Sequence, residues 1–600
     1  MTTKALRINT ENLLPIIKKW LYSDRDIFVR ELVSNGTDAL SKLKILREQG
    51  ESTATDDSFR IEVAIDKEGR TLTFTDTGLG MDAEEVERYI GDVAFSGAEE
   101  FAKRYQAADG AIIGHFGLGF FSAFMVAERV VIETLSYKPD AKPVRWESEG
   151  SSEYTLEEGS RTSRGTQITL HLDGDSDEFL SEERIGSILG RYCAFLPYPI
   201  FLGETLLNKE EPLWLKSPAK CTDEDYKHFY RTLYPFEEEP LFWIHLSVDF
   251  PFHLQGILYF PRLRRDFDFK KETVRLFCNR VFVADSCKEL LPDYLTMLRG
   301  VIDSPDIPLN VSRSTLQVDR TVRQLSAHIS KKVADKLASL HATERERYLS
   351  CWEDLELIVK LGALQDEKFY ERVADALIFK TTDGEWTTLK EAEGTVFYTG
   401  EEREGCPIVE AYKERGCKVL QTGGAIDAHL IPFLEKKLSG TKLQRIDGAL
   451  DEALLDKGRE QGLLDAEGKT PATRLAELVK ALLPEGVEVE AKSLASDKLP
   501  SFLLLDEQAR RMRDILAVNS SKKGPTEFIG RRTFVVNTNN PLMGALPDLH
   551  GRDPTLAKEL VQHAYDQALL SQREMDPSHL DAFLARSSAL LQKLALAVRP

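Results

Sequence analysis

The sequence predicts an α/β (α+β) protein of three domains, on three observations. Strand-like segments with every second residue apolar recur in the first third of the chain, beside long helices with apolar residues three and four apart. A glycine-rich stretch, Gly114-His115-Phe116-Gly117-Leu118-Gly119, leads directly into an apolar segment. The C-terminal end is dominated by two amphipathic helices. A chain of 600 residues exceeds what one hydrophobic core serves. A polar joint near residues 208–223 and a second change of pattern near 486 divide it into 1–207, 222–485 and 487–600.

In chain order, residues 9–23 and 26–49 have helical periodicity. Residues 60–66 alternate, with Ile61, Val63 and Ile65 on one side; Leu72 and Phe74 alternate next, then Ile168, Leu170 and Leu172. Strands with one apolar face suit an antiparallel or mixed sheet covered by helices on one side. Between Met81 and Gly114 a polar helical stretch, 98–107, is flanked by Gly91, Gly97 and Gly110, the composition of either a hinged lid or an ordinary surface helix. Residues 120–127 read as an apolar helix. The second region opens with strands at 242–246, 256–260 and 276–282, continues with helix over 326–361, and holds a smaller α/β unit with strands at 395–398 and 418–420. The third has strands at 487–489 and 533–536 and helices at 507–516, 554–571 and 578–597. Leu556, Leu560, Ala564 and Ala568 form one apolar stripe there, and Leu580, Phe583, Leu584, Leu591 and Leu594 another. Such a terminal hairpin suits either self-association or packing on its own domain.

A net charge of -20 and a pI near 5.2 oppose a general role on nucleic acid, whose non-specific binding needs a basic surface. The seven cysteines are scattered without a CxxC pair, which suits a reducing compartment. The N-terminus lacks a signal-peptide pattern and the longest apolar run is too short to span a bilayer, so a cytoplasmic protein without stable membrane association is expected.

Three motifs carry chemistry. Glu31, Asn35 and Asp38 lie at i, i+4 and i+7, within ~60° on one helix face. A carboxylate can orient or deprotonate a water, and an amide oxygen suits Mg²⁺. Asp38 supports the edge of the same face. In Asp76-Thr77-Gly78-Leu79-Gly80-Met81, a strand-end carboxylate can accept an adenine amino hydrogen, Gly80 lets the base approach the backbone, and Met81 offers a soft apolar contact. Thr166 opens a strand where it can assist Asp76. Gly114, Gly117 and Gly119, followed by Phe120, leave backbone N–H groups bare for a phosphate chain. The order is GxxGxG, neither a Walker A loop nor the dinucleotide fingerprint. Singly, each motif also suits a helix's solvent face or a plain turn; in this order and spacing they describe an ATP pocket.

The combination resembles the Bergerat ATP-binding fold of gyrase B, the MutL mismatch-repair proteins, sensor histidine kinases and the heat shock protein 90 chaperones. Finer details resemble the last, in its bacterial branch. They are the run Phe28-Val29-Arg30-Glu31-Leu32-Val33-Ser34-Asn35-Gly36-Thr37-Asp38-Ala39-Leu40, residues 113–127, Pro308-Leu309-Asn310-Val311-Ser312-Arg313 with Leu316-Gln317, Tyr398-Thr399-Gly400, and Asn537-Thr538-Asn539-Asn540-Pro541. The likeness runs through essentially the whole chain; the eukaryotic acidic linker and the MEEVD tail are missing.

That resemblance implies a Bergerat-type sandwich, an α/β middle domain and a mostly helical C-terminal dimerisation domain. It implies an ATP-dependent chaperone: a homodimer joined through its C-terminal helices, acting on non-native client proteins, with possible co-chaperones, ATP and Mg²⁺. By the same resemblance Glu31 is the general base and Asn35 holds Mg²⁺. Asp76 reads adenine with Gly80, Met81 and Thr166 around the base, and Asp38 stands at the pocket edge. Gly117, Gly119 and Phe120 belong to the phosphate loop. Arg313, with Gln317 nearby, reaches the γ-phosphate from the middle domain, where a guanidinium offsets charge on the transferring group. The chain departs from the family pattern at Phe95 (usually lysine), Tyr89 (often Asn or His) and Ser314 (commonly glutamate). Two rival readings are a DNA-acting ATPase on the same fold and a nucleotide-gated holdase without turnover.

Overall fold

The computed structural model describes residues 24–52, 58–92, 95–97, 101, 104–105, 112–114, 117–151, 153–263, 274–285, 287–310, 319–389, 394–400, 406–424, 426–448, 450–456, 469–505, 532–572 and 575–597. The helices expected at 9–23 and 507–516, most of 98–107, and both Arg313 and Gln317 lie outside the described residues. The chain forms two compact units, 1–336 and 337–600.

The first unit is built on helix α1 (Ile27–Glu48). Its residues Phe28, Val29, Val33, Leu40 and Leu43 are completely buried, so it is an interior helix with one polar strip. Phe28 meets Phe74 and Phe179 edge to face, at ring separations of 6.3 and 5.1 Å. Beneath lies an eight-stranded sheet of β1 (Ile61–Asp66), β2 (Thr71–Asp76), β3 (Ala127–Leu135), β4 (Val144–Ser148), β5 (Thr155–Glu158), β6 (Gly165–Leu172), β7 (Ile200–Leu202) and β8 (Thr205–Leu206). Their order is β5-β4-β3-β6-β2-β1-β7-β8. Every pairing is antiparallel except β1–β7, so the sheet is mixed, as expected. Helix α2 (Glu182–Cys193), capped by Ser181, packs against α1.

The apolar segment after the glycine loop is a 3-10 helix, Gly119–Met125, and not a helix to Ala127; β3 begins at Ala127. The strand wins because Val130 and Ile132 pair across β6 and are buried against the core, a contact invisible in a local window. The joint at 208–223 is less polar in space than in sequence. Trp214 is fully buried, packs on Phe195 and Phe277 at 4.8 and 5.3 Å, and donates its indole N–H to Asp303 at 3.1 Å. After α3 (Asp223–Leu233) comes a five-stranded sheet of β9 (Phe242–Val248), β10 (Leu254–Phe260), β11 (Val274–Cys278), β12 (Val281–Ala284) and β13 (Arg299–Asp303), ordered β12-β11-β13-β10-β9. The single strand expected over 276–282 is two strands of a hairpin. Asn279 and Arg280 turn the chain with φ of 53° and 66°, the paired left-handed conformation of a tight hairpin turn.

The second unit holds helix Trp352–Gln365 and a parallel sheet in which Thr395–Thr399 lies between Val419–Gln421 and Lys442–Arg445. A further sheet places Arg532–Asn537 between Glu488–Lys492 and Ser501–Leu505. The Asn-Thr-Asn-Asn motif is structural. Asn537, fully buried, donates to the Ser496 and Leu499 carbonyls and accepts the Leu494 and Asn539 N–H groups. Helix Pro554–Ser571 buries Ala557, Val561, Ala564, Ala568 and Leu569; Leu556 and Leu560 of the expected stripe are only half-buried. On Leu580–Ala597, Phe583 is buried while Leu584, Leu591 and Leu594 are 52%, 63% and 63% exposed.

Because Phe28 fixes α1 to β2 and to Phe179, Phe28→Ala should cost about 3–5 kcal/mol. Calorimetry should show it as a lowered transition of the first unit, with the second unit unaffected.

Candidate nucleotide site

The polar strip of α1 faces a cavity of about 480 Å³ also lined by the end of β2, the glycine loop and Thr166. Glu31, Asn35, Asp38, Asp76, Gly80, Met81, Gly117, Gly119, Phe120 and Thr166 all border it, so the structure brings every described sequence-predicted residue together.

Glu31 is buried, and its Oε1 accepts Arg30 Nη2 and Nε at 2.7 and 3.0 Å. Its Oε2 lies so near Gly119 that a Cβ there would stand 2.5 Å away; any larger residue would displace the carboxylate. Asn35 is half-buried, and no hydrogen bond occupies its amide among the described residues. Asp38 has a second task besides bordering the cavity. Both its oxygens are spent on the backbone of the glycine loop: Oδ1 accepts the Ile113 N–H and Oδ2 the Gly114 N–H, each at 2.6 Å. It therefore shapes the loop.

Asp76 ends β2 opposite Thr166 of β6. It is buried, and that burial raises its carboxyl from 3.8 to about 6, against the Gly78 N–H at 2.8 Å and the positive charge of Arg161. Gly80 and Gly117 have φ of +63° and +64°; an added Cβ would lie 1.8 Å from the Leu135 carbonyl oxygen and 2.3 Å from that of Phe95, so neither position admits a side chain. Phe120 is buried edge-on to Trp146 at 5.6 Å.

Two contributors were not singled out from sequence. Thr134, on β3, accepts the Met81 N–H at 2.9 Å, donates to the Gly165 carbonyl at 3.2 Å and sits 3.1 Å from the Thr166 hydroxyl, tying both sides of the base region together. Lys42, one turn beyond Asp38, lines the cavity with a pKa lowered by burial. Its i+4 spacing from Asp38 was the available signal. Tyr89 and Phe95 also border the cavity, stacked at 6.0 Å with the Arg88 guanidinium 4.9 Å above Phe95.

Residues 201–596 match the family model of the Hsp90 protein, and residues 23–163 match that of the histidine kinase-, DNA gyrase B-, and HSP90-like ATPase. The chain belongs to the Hsp90 family. Among its relatives, the chaperone protein HtpG of Porphyromonas gingivalis is 42% identical over 573 residues, covering 90% of this chain and 83% of the relative. That of Bacteroides fragilis is 40% identical over 569 residues, covering 89% and 83%. That of Myxococcus xanthus is 33% identical over 641 residues, covering 100% and 97%.

The donor set of this Hsp90-family site fits a magnesium nucleotide. Among the described residues no group of three or more His, Cys, Asp or Glu side chains could cage a metal. A lone unengaged amide at Asn35 suits Mg²⁺, which takes few protein oxygens and completes its shell with phosphate and water. The cavity size is that of a small-molecule site.

Asp76 also makes a pH prediction. Above about pH 6 the carboxylate is charged in folded and unfolded chains, and the fold bears the cost of burying it. As pH falls from about 6 towards 4 the folded group takes up its proton first, so that cost is relieved. Compared with Asp76→Asn, the wild type should therefore gain stability on going from pH 7 to about pH 4.5, by about 2 kcal/mol. Parallel denaturant titrations at the two pH values measure this.

Proposed function

We propose that this chain binds ATP with Mg²⁺ in the cavity beneath α1 and hydrolyses it to drive a homodimeric clamp that closes around non-native proteins. The protein is an ATP-dependent chaperone of the Hsp90 family. The observation that carries the reading is the convergence of Glu31, Asn35 and Asp76 on one cavity bordered by the glycine loop.

Asp76, with Thr166 and Thr134 behind it, accepts the adenine amino hydrogens, while Gly80 and Met81 pass against the ring. Asn35 holds Mg²⁺ against the phosphates; the metal, when bound, offsets their charge. Gly117, Gly119 and Phe120 present loop backbone to the phosphates. Glu31 orients and deprotonates the attacking water through Oε2, since Arg30 holds Oε1. Arg313, with Gln317, is proposed from its motif to stabilise the transferring phosphoryl group. Residues 1–207 form the nucleotide domain in this scheme, 222–485 the middle domain and 487–600 the dimerisation domain. The clamp moves because nucleotide contacts the closed arrangement better than the open one.

Dimerisation is supported by Leu584, Leu591, Leu594 and Leu596, whose apolar surface is more than half exposed on the last helix. The net charge of -20 weighs against a DNA-acting enzyme. We place the protein in the cytoplasm; no helix among the described residues is long and apolar enough to cross a membrane.

Glu31→Ala should bind ATP with near-normal affinity by calorimetry and release phosphate at least about 100-fold more slowly. Turnover equal to wild type would remove Glu31 from its role, and absent turnover in the wild type would favour the holdase. Truncation after Asp553 should give a monomer in sedimentation velocity; an intact dimer would move the interface elsewhere.

A further inference from the structure

The turn between β5 and β6 holds a cation behind the adenine end of the cavity. Arg161 is half-buried on it, and burial lowers its pKa. Its guanidinium forms no ion pair among the described residues and donates instead to three carbonyl oxygens. Nε reaches that of Ser163 at 3.0 Å, and Nη2 those of Asp76 and Arg164 at 3.4 Å each. Gly165 makes this approach possible. Its φ is +107°, and an added Cβ would lie 2.1 Å from the Asp76 carbonyl oxygen, so the turn rests directly on the end of β2.

Asp76 is the acid on which this charge acts most strongly, ahead of Glu133 and Glu62. Those two are engaged elsewhere. Glu62 of β1 pairs with Arg60 at 2.5 Å; Glu133 of β3 pairs with Arg145 at 3.5 Å and accepts the Ser160 N–H at 2.9 Å. The other charged groups bordering the cavity have their own partners. Glu31 pairs with Arg30 and Glu85 with Lys138, while Asp38 holds the glycine loop and attracts Lys42. Arg88 and Arg104 lie over the rings of Phe95 and Tyr105. Arg164, on the same turn as Arg161, adds a weaker attraction towards Asp76.

Burial of Asp76 favours its neutral acid, yet the adenine amino group is a donor, and a charged carboxylate accepts such a bond roughly twice as strongly as a neutral group. Something must therefore hold the charge in place before the base arrives. We propose that Arg161 is a positioning residue for adenine recognition: its guanidinium, fixed behind the strand end by three carbonyl oxygens, keeps the Asp76 carboxylate in the form that accepts the base. Arg161 acts through Asp76 and touches no ligand. Its effect on adenine rests on the nucleotide reading above; the coupling between Arg161 and Asp76 does not.

Calorimetric titration of ADP with Mg²⁺ into the full-length protein, between about pH 5.5 and about pH 8, tests the effect on the base. Wild-type affinity should fall at least about threefold from the top of that range to the bottom, as Asp76 takes up its proton. In Arg161→Gln the fall should begin about one pH unit higher. Its affinity should then be about twofold below wild type near pH 6.5 and close to wild type near pH 8. The ratio of variant to wild type cancels the titration of ADP itself. Arg161→Lys, which keeps the charge, should restore most of the wild-type profile. A flat wild-type profile, an equal weakening at every pH, or a lysine variant as impaired as the glutamine one overturns the proposal. Denaturant unfolding of the nucleotide-free protein tests the coupling by itself. Arg161→Gln should lower the first unit's midpoint more at about pH 7, where Asp76 is charged, than at about pH 4.5, where it is neutral. In an Asp76→Asn background that difference should vanish. An equal loss at both pH values overturns the coupling. Absent ADP binding at every pH refutes the nucleotide reading alone, because the unfolding cycle still tests the pair.

Discussion

The carboxylate of Asp38, holding the Ile113 and Gly114 N–H groups at 2.6 Å each, ties the glycine loop to α1, and the geometry of the cavity follows from that tie. A glycine-rich segment has little side-chain packing to hold it, and its unfolded chain has much freedom to lose. Two charge-assisted hydrogen bonds from one buried side chain fix its entry. Downstream, Gly119 is then close enough to Glu31 that the carboxylate fills the place of a missing Cβ, and Gly117 rests against the Phe95 backbone. Loop, helix and the segment beyond Tyr89 thus constrain one another at van der Waals distance.

The same region carries a marked electrostatic cost. Glu31 and Arg30 form a buried pair, and Asp76 sits in a setting that favours its neutral form. Removing charges from water is unfavourable unless compensated, and here compensation is partial. The surrounding apolar structure sustains it: α1 buries Phe28, Val29, Val33, Leu40 and Leu43 on its other faces, and the aromatic contacts of Phe28 anchor it to the sheet. Stability is concentrated behind the site, while the side facing the cavity is poised for a ligand.

Tyr89 and Phe95, the two departures that border the cavity, are coupled to each other. They stack at 6.0 Å, Arg88 lies over Phe95, and a Cβ on Gly97 would come 2.7 Å from the Tyr89 ring. An aromatic pair with a cation above it takes the place of the hydrophilic groups the family pattern has here. The two changes make physical sense together, since either ring alone would present unpartnered apolar surface to the cavity mouth.

The sequence by itself determined the residue types and their local periodicity. The strip Glu31, Asn35, Asp38, the strand-end Asp76 with Gly80, and the loop of Gly114, Gly117 and Gly119 were legible because helix and strand repeats are set by neighbours in the chain. So were strands β1, β2 and β6 of the first sheet, β9 and β10 of the second, and the helix Pro554–Ser571. Tertiary structure decided the rest. Asp38 became a loop anchor as well as a pocket-edge residue because Ile113 and Gly114 arrive from far along the chain. Thr134 joined the site because β3 pairs with β6, and 276–282 broke into a hairpin because Asn279 and Arg280 adopt left-handed backbone. Asp76 acquired its raised pKa only when strands and helix closed around it. Periodicity encodes which face of an element is apolar; which polar group loses its water, and which backbone N–H it meets instead, depends on segments brought together only by the fold.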